Sequence, residues 1–310
     1  MEVKKFLITL LIFVTSFVLL DFAFGKIMDN KVSDLTISPG DRISEQNFRL
    51  NQCVSDVVVI GSSRAKHHYR SNQLRDSLQN YFKGATLYNL GMDGVTVYNS
   101  LMSIESMLDR YHPKLILLDV DWYRFYQSIP DKCLSFAAPF YHTNQRVKQY
   151  IDQLGWKEQV KMISSCYRYN GKFPIRQSKA VLSDSLYGYV PLFKSMDSDT
   201  NERAYISKQE HLNAEPIYVI EKSFIRVANL CKQQGVELVV CCSPNYRPDH
   251  KNIYLMKLCE ASAVPFMDFS DSKYFNNHPE MFSDAVHMND VGAKEYCALL
   301  WGKLKGLLLN

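Results

Sequence analysis

The chain has 310 residues, of which 46% are hydrophobic and 22% are charged, as in ordinary globular proteins long enough to bury a core. Its formal net charge of +4 is spread along the sequence without a long basic run, which argues against a nucleic-acid-binding surface. The eight cysteines form no CxxC pair, so the usual cysteine-based zinc sites are excluded.

The first predicted element is an apolar segment at the N-terminus. Lys4 and Lys5 precede an uncharged run over residues 6–20, whose length approaches the roughly 20 residues that span a bilayer. Lysines on the short N-terminal side favour a cytoplasmic N-terminus. Residues 1–25 are therefore predicted to be a signal anchor in the cell membrane, with the following domain exported. A cleaved signal peptide stays an alternative, because the small residues of the tripeptide 23–25 suit a signal peptidase.

Residues 26–52 are polar and lack a sustained periodicity, which predicts a linker between membrane and domain. Residues 53–310 then alternate between apolar runs and helical patterns. Unbroken apolar strands separated by helices indicate a parallel sheet that is covered on both faces. We therefore predict an α/β fold, a three-layer α/β/α sandwich around a parallel five-stranded sheet. The predicted strands are VSDVVVIG at 54–61, TLYNLG at 86–91, PKLILLDV at 113–120, VELVVCCSP at 236–244 and VPFMDFS at 264–270.

The alternating pattern lapses over about residues 122–215, between the third and fourth strands, and this region is predicted to be a large insertion. In an exported protein, Cys133 and Cys166 are the most plausible disulfide pair, because both lie in this irregular region. Four other cysteines (231, 241, 242 and 259) have apolar contexts that predict buried free thiols.

Helical spacing predicts helices over 64–82, 95–111, 145–163, 217–234 and 252–261, and a last helix that Asp290 caps.

The first strand runs directly into Gly61-Ser62-Ser63, and a helix-forming segment follows. A strand, a glycine turn and a helix can present a nucleophile or bind a phosphate, although such turns are also plain connectors. Neither GxxxxGK[ST] nor GxGxxG is present in the turn, which argues against a P-loop or dinucleotide enzyme. The turn alone therefore leaves a reactive serine and a connector both open.

Among the eight histidines, His287 has the most informative position. It stands three residues after Asp284 and just ahead of the last predicted helix. An Asp-x-x-His loop can fold so that the carboxylate accepts from one ring nitrogen while the other faces a nucleophile. In a parallel sheet this loop and the loop after the first strand both open at the carboxyl edge, where sites form. By contrast, His67 and His68 are expected to face solvent or to pack.

Three sequence blocks resemble a known family. The stretches GSS at 61–63, NLGMDG at 89–94 and DAVHMN at 284–289 are similar, in order and spacing, to blocks I, II and V of the SGNH/GDSL hydrolase superfamily. The resemblance covers residues 54–120 and 216–308 and implies a flavodoxin-like SGNH fold. A membrane anchor with GSS in place of GDS further resembles transferases that modify envelope polymers, such as alginate O-acetylation proteins and the D-alanine transfer protein of teichoic acids.

The resemblance implies roles for four residues and marks a departure at a fifth position. Ser63 is the nucleophile, His287 the base and Asp284 the acid that orients the base. The backbone amides of Ser63 and Gly94 are oxyanion donors. The asparagine of block III falls near Asp121, a departure from the family pattern, because a carboxylate cannot donate to an oxyanion unless it is protonated.

Two interpretations of Asp121 are open. It either leaves an altered oxyanion hole, suited to a slow hydrolase or to a transferase that holds an acyl group, or it points elsewhere, toward Arg124 or a backbone amide. The first interpretation predicts that Asp121→Asn raises the hydrolysis of a small ester.

The resemblance implies an acyltransferase or esterase that moves an acetyl group to or from envelope or secreted polysaccharide. No cofactor or metal is expected, and neither is nucleic acid. A membrane-bound O-acyltransferase is the expected partner for a transferase. The alternative is a non-catalytic glycan- or partner-binding component of an envelope assembly complex. Aromatic side chains of the insertion are expected to stack on the acceptor sugar: Trp122, Tyr123, Phe125, Tyr126, Phe140, Tyr141, Trp156, Tyr167 and Tyr169.

Overall fold

The computed structural model of the chain describes residues 2–38, 40–79, 81–121, 125, 135–172, 185–196, 217–247 and 253–308. The chain divides into two units. The first unit combines Met1–Phe48 with Leu134–Val181, and the second combines Arg49–Cys133 with Leu182–Asn310.

A parallel sheet of five strands forms the centre of the second unit. The strands are β1 (Val57–Ile60), β2 (Leu87–Asn89), β3 (Leu115–Asp119), β4 (Glu237–Cys242) and β5 (Phe266–Asp268). Their order across the sheet is β2-β1-β3-β4-β5, with every neighbouring pair parallel. This is the flavodoxin-like order, in which the direction of winding reverses between β1 and β3. The predicted strands and fold class are confirmed.

Helices flank the sheet in the second unit and form most of the first. They are α1 (Glu2–Ser33), α2 (Arg42–Asn47), α3 (Ser63–His68), α4 (Ser71–Leu78), α5 (Val97–Leu108), α6 (Gln145–Asp152), α7 (Trp156–Ile163), α8 (Ser165–Arg168), α9 (Tyr218–Gln233), α10 (Ile253–Ala261) and α11 (Asp290–Leu308).

The centre of the sheet is fully covered. Every residue of β1 has an exposed fraction of 0%, as do residues 115–118 of β3. β-branched and leucine side chains pack well on such a two-sided sheet. Four buried cysteines at positions 231, 241, 242 and 259 are free thiols, as the sequence predicted, whereas Cys133 lies outside the described residues. The sheet thus supplies a rigid base for the loops at its carboxyl edge.

The predicted helix over 64–82 is two helices, because the chain is extended at Tyr69 and Arg70 between α3 and α4. Tyr69 is fully buried, and its hydroxyl donates to Asp119 Oδ1 at 2.8 Å. This tertiary hydrogen bond overrides the helical pattern. A second difference concerns the cap of α11, where Asn289 rather than Asp290 caps the helix by accepting from the amides of residues 291 and 292.

The first unit contains a helix that is long and apolar enough to cross a membrane, with none of its most apolar stretch buried. This helix, α1, passes the predicted boundary at residue 25 and continues to Ser33. Residues 42–47 of the same unit are also helical and largely buried, in contrast to the expected linker. Met28 and Val32, one turn apart in α1, are both buried. The division into anchor, linker and 53–310 domain stays a prediction.

Candidate active site

Ser63 is the first residue of α3, directly after β1 and its glycine turn. Ser62 is the extended N-cap residue of this helix. A Cβ atom at Gly61 would lie 2.8 Å from the carbonyl oxygen of Asp119 and from Ala65 Cβ, so only glycine lets the turn pass so close to the end of β3. The turn therefore places Ser63 at the carboxyl edge of the sheet, beside the point where the strand order reverses.

A chain of hydrogen bonds joins Ser63, His287 and Asp284. His287 Nε2 lies 2.8 Å from Ser63 Oγ, and His287 Nδ1 lies 2.8 Å from Asp284 Oδ2. A carboxylate can only accept, so the proton of the neutral ring is on Nδ1, and Nε2 accepts from the serine hydroxyl. The structure thus brings together residues that are 224 positions apart in the sequence, in the arrangement of a nucleophile, a base and an orienting acid.

Backbone amides of the loop that carries Asp284 and His287 hold the Asp284 carboxylate in place. Asp284 Oδ1 accepts from the backbone amides of Val286 and His287, each at 2.9 Å. Burial raises the pKa of Asp284, but the hydrogen bonds from the His287 side chain and from these two amides outweigh it, so that the pKa is lowered overall. Asp284 is therefore ionised at neutral pH, as is required to stabilise a protonated His287.

His68 holds Met288, the residue that follows His287. Its Nε2 accepts from the backbone N–H of Met288 at 2.9 Å, which places the ring proton on Nδ1, facing Ser243 Oγ at 2.9 Å. Burial lowers the pKa of His68 well below its ordinary value, and Arg64 and His287 lower it further, so the ring is neutral. The sequence predicted that His68 faces solvent or packs, and it did not predict this hydrogen bond to Met288. No sequence signal marks it, because Met288 is 220 residues away.

His67 packs edge-on against the ring of His287, with ring centroids 5.6 Å apart. Its Nδ1 lies 2.7 Å from the carbonyl oxygen of Val190, and its Nε2 lies 3.4 Å from Asp93 Oδ1. The hydrogen bond from His67 lowers the pKa of Asp93. His67 therefore links the predicted block II segment to the ring of His287.

The segment after β2 packs closely on α3. Asn89 donates to the carbonyl oxygen of Ala65 at 2.7 Å, and a Cβ atom at Gly91 would overlap the backbone of Lys66. Gly94 is exposed and has a φ of 75°, the left-handed region that glycine adopts freely. The predicted oxyanion roles of the Gly94 and Ser63 amides stay predictions.

Asp121 is paired with Arg64, the residue that follows Ser63. Its carboxylate accepts from Arg64 Nη1 in a buried ion pair. Arg64 Nη1 also donates to Asn245 Oδ1 at 2.8 Å, and Arg64 Nη2 to Ser243 Oγ at 2.9 Å. Of the two interpretations, this contact agrees with the one in which Asp121 points to an arginine, although the partner is Arg64 and not Arg124, which lies outside the described residues. Sequence reasoning missed Arg64.

Nine aromatic side chains were expected to stack on the acceptor sugar, and for four of them this expectation is wrong because they are buried. Phe125, Phe140, Tyr141 and Tyr169 are at most 7% exposed, because their rings fill the interiors of the units that contain them. Trp156 and Tyr167 are exposed, and the other three lie outside the described residues. Among the residues that the structure describes, no cluster of three or more histidine, cysteine or acidic side chains could hold a metal ion.

Comparisons with known proteins found similarity to solved structures alone. No protein-family model and no curated protein sequence matches the chain. Similar solved structures include a GDSL-like lipase from Bacteroides thetaiotaomicron (12% identity, 81% of this chain and 88% of the other covered, TM-score 0.37), an acetyl xylan esterase (11%, 80% and 98%, 0.39) and a lipase/acylhydrolase from Enterococcus faecalis (13%, 81% and 95%, 0.34). These values are too low to assign an activity.

Proposed function

We propose that the protein is a membrane-anchored enzyme that acts on ester bonds through a nucleophilic serine, either as an esterase or as an acyltransferase. The observation that carries the proposal is the unbroken hydrogen-bond chain from Ser63 Oγ through His287 to Asp284, with both links at 2.8 Å. A serine is a weak nucleophile unless an adjacent base takes its proton, and the base needs a third group to hold its tautomer. All three groups are present and are joined by hydrogen bonds.

In the first half-reaction, Ser63 Oγ attacks the carbonyl carbon of an acyl ester while its proton passes to His287 Nε2. The tetrahedral intermediate then expels the alcohol, whose oxygen takes the proton back from His287. The product is an acyl ester on Ser63. Asp284 stabilises the imidazolium in this step without taking a proton itself.

In the second half-reaction, His287 takes a proton from water or from a sugar hydroxyl, and the resulting oxygen nucleophile attacks the acyl-Ser63 carbonyl. Ser63 leaves with the proton from His287. Water gives a carboxylic acid, which makes the protein an esterase, and a hydroxyl gives a new ester, which makes it a transferase. The amides of Ser63 and Gly94 are the proposed oxyanion donors. Asp121 is not needed as a donor in this scheme, because its carboxylate is engaged by Arg64.

The proposed location and substrate follow from the N-terminal segment and the family resemblance. Helix α1 is proposed as a single-pass anchor, with Lys4 and Lys5 on the cytoplasmic side and the catalytic unit exported. The proposed substrate is an acetylated envelope or secreted polysaccharide. For a transferase, a membrane-bound O-acyltransferase is the proposed source of the acetyl group.

Labelling with a serine-directed fluorophosphonate tests the proposal. The wild-type protein is expected to take up the probe covalently, Ser63→Ala to lose it, and Ser62→Ala to keep most of it. Ser62 is the matched control, since it is the neighbouring hydroxyl in the same turn. An unlabelled wild-type protein would favour the alternative of a non-catalytic binding component, and labelling that depends on Ser62 would overturn the assignment of the nucleophile.

A further inference from the structure

Helix α7 in the first unit exposes an apolar face. Trp156, Val160 and Ile163 recur at the spacing of one helix face and are 69%, 55% and 74% exposed. Tyr167, in the adjoining α8, is 41% exposed. Large apolar side chains grouped on one face of a helix indicate a surface that another phase or molecule covers.

The neighbouring helix α6 is amphipathic too, but it buries its apolar residues Val147, Tyr150 and Ile151. α7 contributes Met162 to the interior, from the side of the helix opposite Val160. The exposed face of α7 is therefore separate from the packing of its own unit.

Hydrogen bonds fix this helical segment to the membrane-spanning candidate α1. Asp21, in α1, accepts from the backbone amides of Ser165 and Cys166 at 2.8 and 2.7 Å and from the Ser164 hydroxyl at 3.2 Å. One turn further along α1, a Cβ atom at Gly25 would overlap Ser165 Oγ. The start of α8, directly after α7, is thus held at the level of residues 21–25 of α1.

Residues 21–25 lie at one end of the apolar part of α1. At a rise of about 1.5 Å per residue, roughly 20 helical residues cross a hydrocarbon core of about 30 Å. Counted from residue 6, this length ends near Gly25. The carboxylate of Asp21 is acceptable so close to the hydrocarbon because two amides and a hydroxyl satisfy it.

We propose that α7 lies in the headgroup region of the bilayer that α1 spans, with Trp156, Val160 and Ile163 directed toward the acyl chains. The proposal rests on α1 being the membrane anchor of the proposed function. Tryptophan is favoured at this depth because one side of the ring is apolar and its N–H is polar. Residues 145–172 contain six basic and two acidic side chains. Arg168 is buried against Asp29, and the other five basic side chains outnumber the two acidic ones, a balance that favours anionic headgroups. The first unit would thus touch the membrane through two elements, one spanning it and one lying on it.

Quenching of Trp156 fluorescence by brominated lipids tests the proposal in the full-length protein. Trp122→Phe and Trp301→Phe leave Trp156 as the single tryptophan, and the protein is reconstituted in nanodiscs of phosphatidylcholine and phosphatidylglycerol. Bromines near the headgroup end of the acyl chain are expected to lower the fluorescence of Trp156. Iodide in the aqueous phase is expected to quench Trp156 less than it quenches a free tryptophan analogue. In the matched control, Trp156→Phe with Lys157→Trp moves the indole about 100° around the helix, and lipid quenching is expected to fall.

Two results would overturn the proposal. Quenching of Trp156 by iodide and not by brominated lipid would place the face in water, and protection from both quenchers would mean that protein, such as a second copy of the chain, covers it. As a second variant, Asp21→Ala removes the acceptor of the Ser165 and Cys166 amides and is expected to reduce lipid quenching of Trp156. Resistance of the protein in cell membranes to alkaline extraction reports on α1 separately, and fluorophosphonate labelling reports on the active site.

Discussion

The buried ring of His68 accepts a hydrogen bond from the backbone N–H of Met288 at 2.9 Å and so fixes the residue that follows the base His287. The other ring nitrogen of His68 faces Ser243 at the end of β4. A histidine five positions after the nucleophile thus connects the helix that carries Ser63 to the loop that carries His287. The triad geometry depends on this connection as well as on the triad residues themselves.

His68→Ala is therefore expected to lower kcat for a small acetyl ester with little change in KM, because the proposed base His287 loses its position while Ser63 keeps its place at the start of α3. The unpaired Met288 amide should also lower the free energy of unfolding by about 1–3 kcal/mol. His68→Gln, whose carbonyl oxygen can accept from Met288, should restore part of kcat. Equal losses in the two variants would contradict a positioning role, and the exposed His278→Gln serves as the control.

His68 also predicts how stability depends on pH. Its folded pKa lies well below the unfolded value of about 6.5, so below that value the unfolded chain binds a proton that the folded chain does not. The free energy of unfolding is therefore not reduced by His68 above about pH 6.5. Below that pH it falls by up to about 1.4 kcal/mol per pH unit. His68→Gln, which cannot titrate, should have a shallower decline between pH 7.5 and 5 in denaturant unfolding. Parallel curves for the two proteins would refute this.

Asp284→Asn tests the orienting acid. An amide cannot stabilise the imidazolium and can hold the wrong tautomer of His287, so kcat is expected to fall by about 10³- to 10⁴-fold. The fold should be kept, since Asn Oδ1 can still accept from the amides of Val286 and His287. Steady-state hydrolysis of nitrophenyl acetate is the measurement, and circular dichroism is the control. A loss of less than about tenfold would show that Asp284 does not orient the base.

Asp121→Asn separates the two interpretations of that residue. The ion pair with Arg64 predicts that the variant is less stable, by about 3–5 kcal/mol if the buried guanidinium is left uncompensated, and that ester hydrolysis does not rise. A carboxylate that instead weakened the oxyanion hole would make the same variant faster. Steady-state rates and unfolding curves for both proteins distinguish these outcomes, and a faster enzyme of unchanged stability would refute the structural role.

The sheet could be predicted from the sequence because each strand is an apolar run, such as the one over residues 57–60, that a two-sided parallel sheet requires. Ser63, Asp284 and His287 could be placed together because both loops open at the same edge of that sheet. Arg64 and His68 could not be found, since a six-residue helix has no periodicity to read and their partners are 57 to 220 residues away. The extension of α1 to Ser33 also depends on tertiary contacts, those of Met28 and Val32, that no local pattern shows.

The most direct measurement is the position of the acyl group after a single turnover. The wild-type protein is mixed with nitrophenyl acetate, quenched in acid before deacylation, digested and mapped by mass spectrometry. An acetyl group on the peptide that contains residues 61–64, assigned to Ser63 by fragmentation, is the expected result. It should persist in Ser62→Ala and disappear in Ser63→Ala. An acetyl group on Ser62, or ester hydrolysis that continues undiminished in Ser63→Ala, would contradict the assignment of Ser63 as the nucleophile.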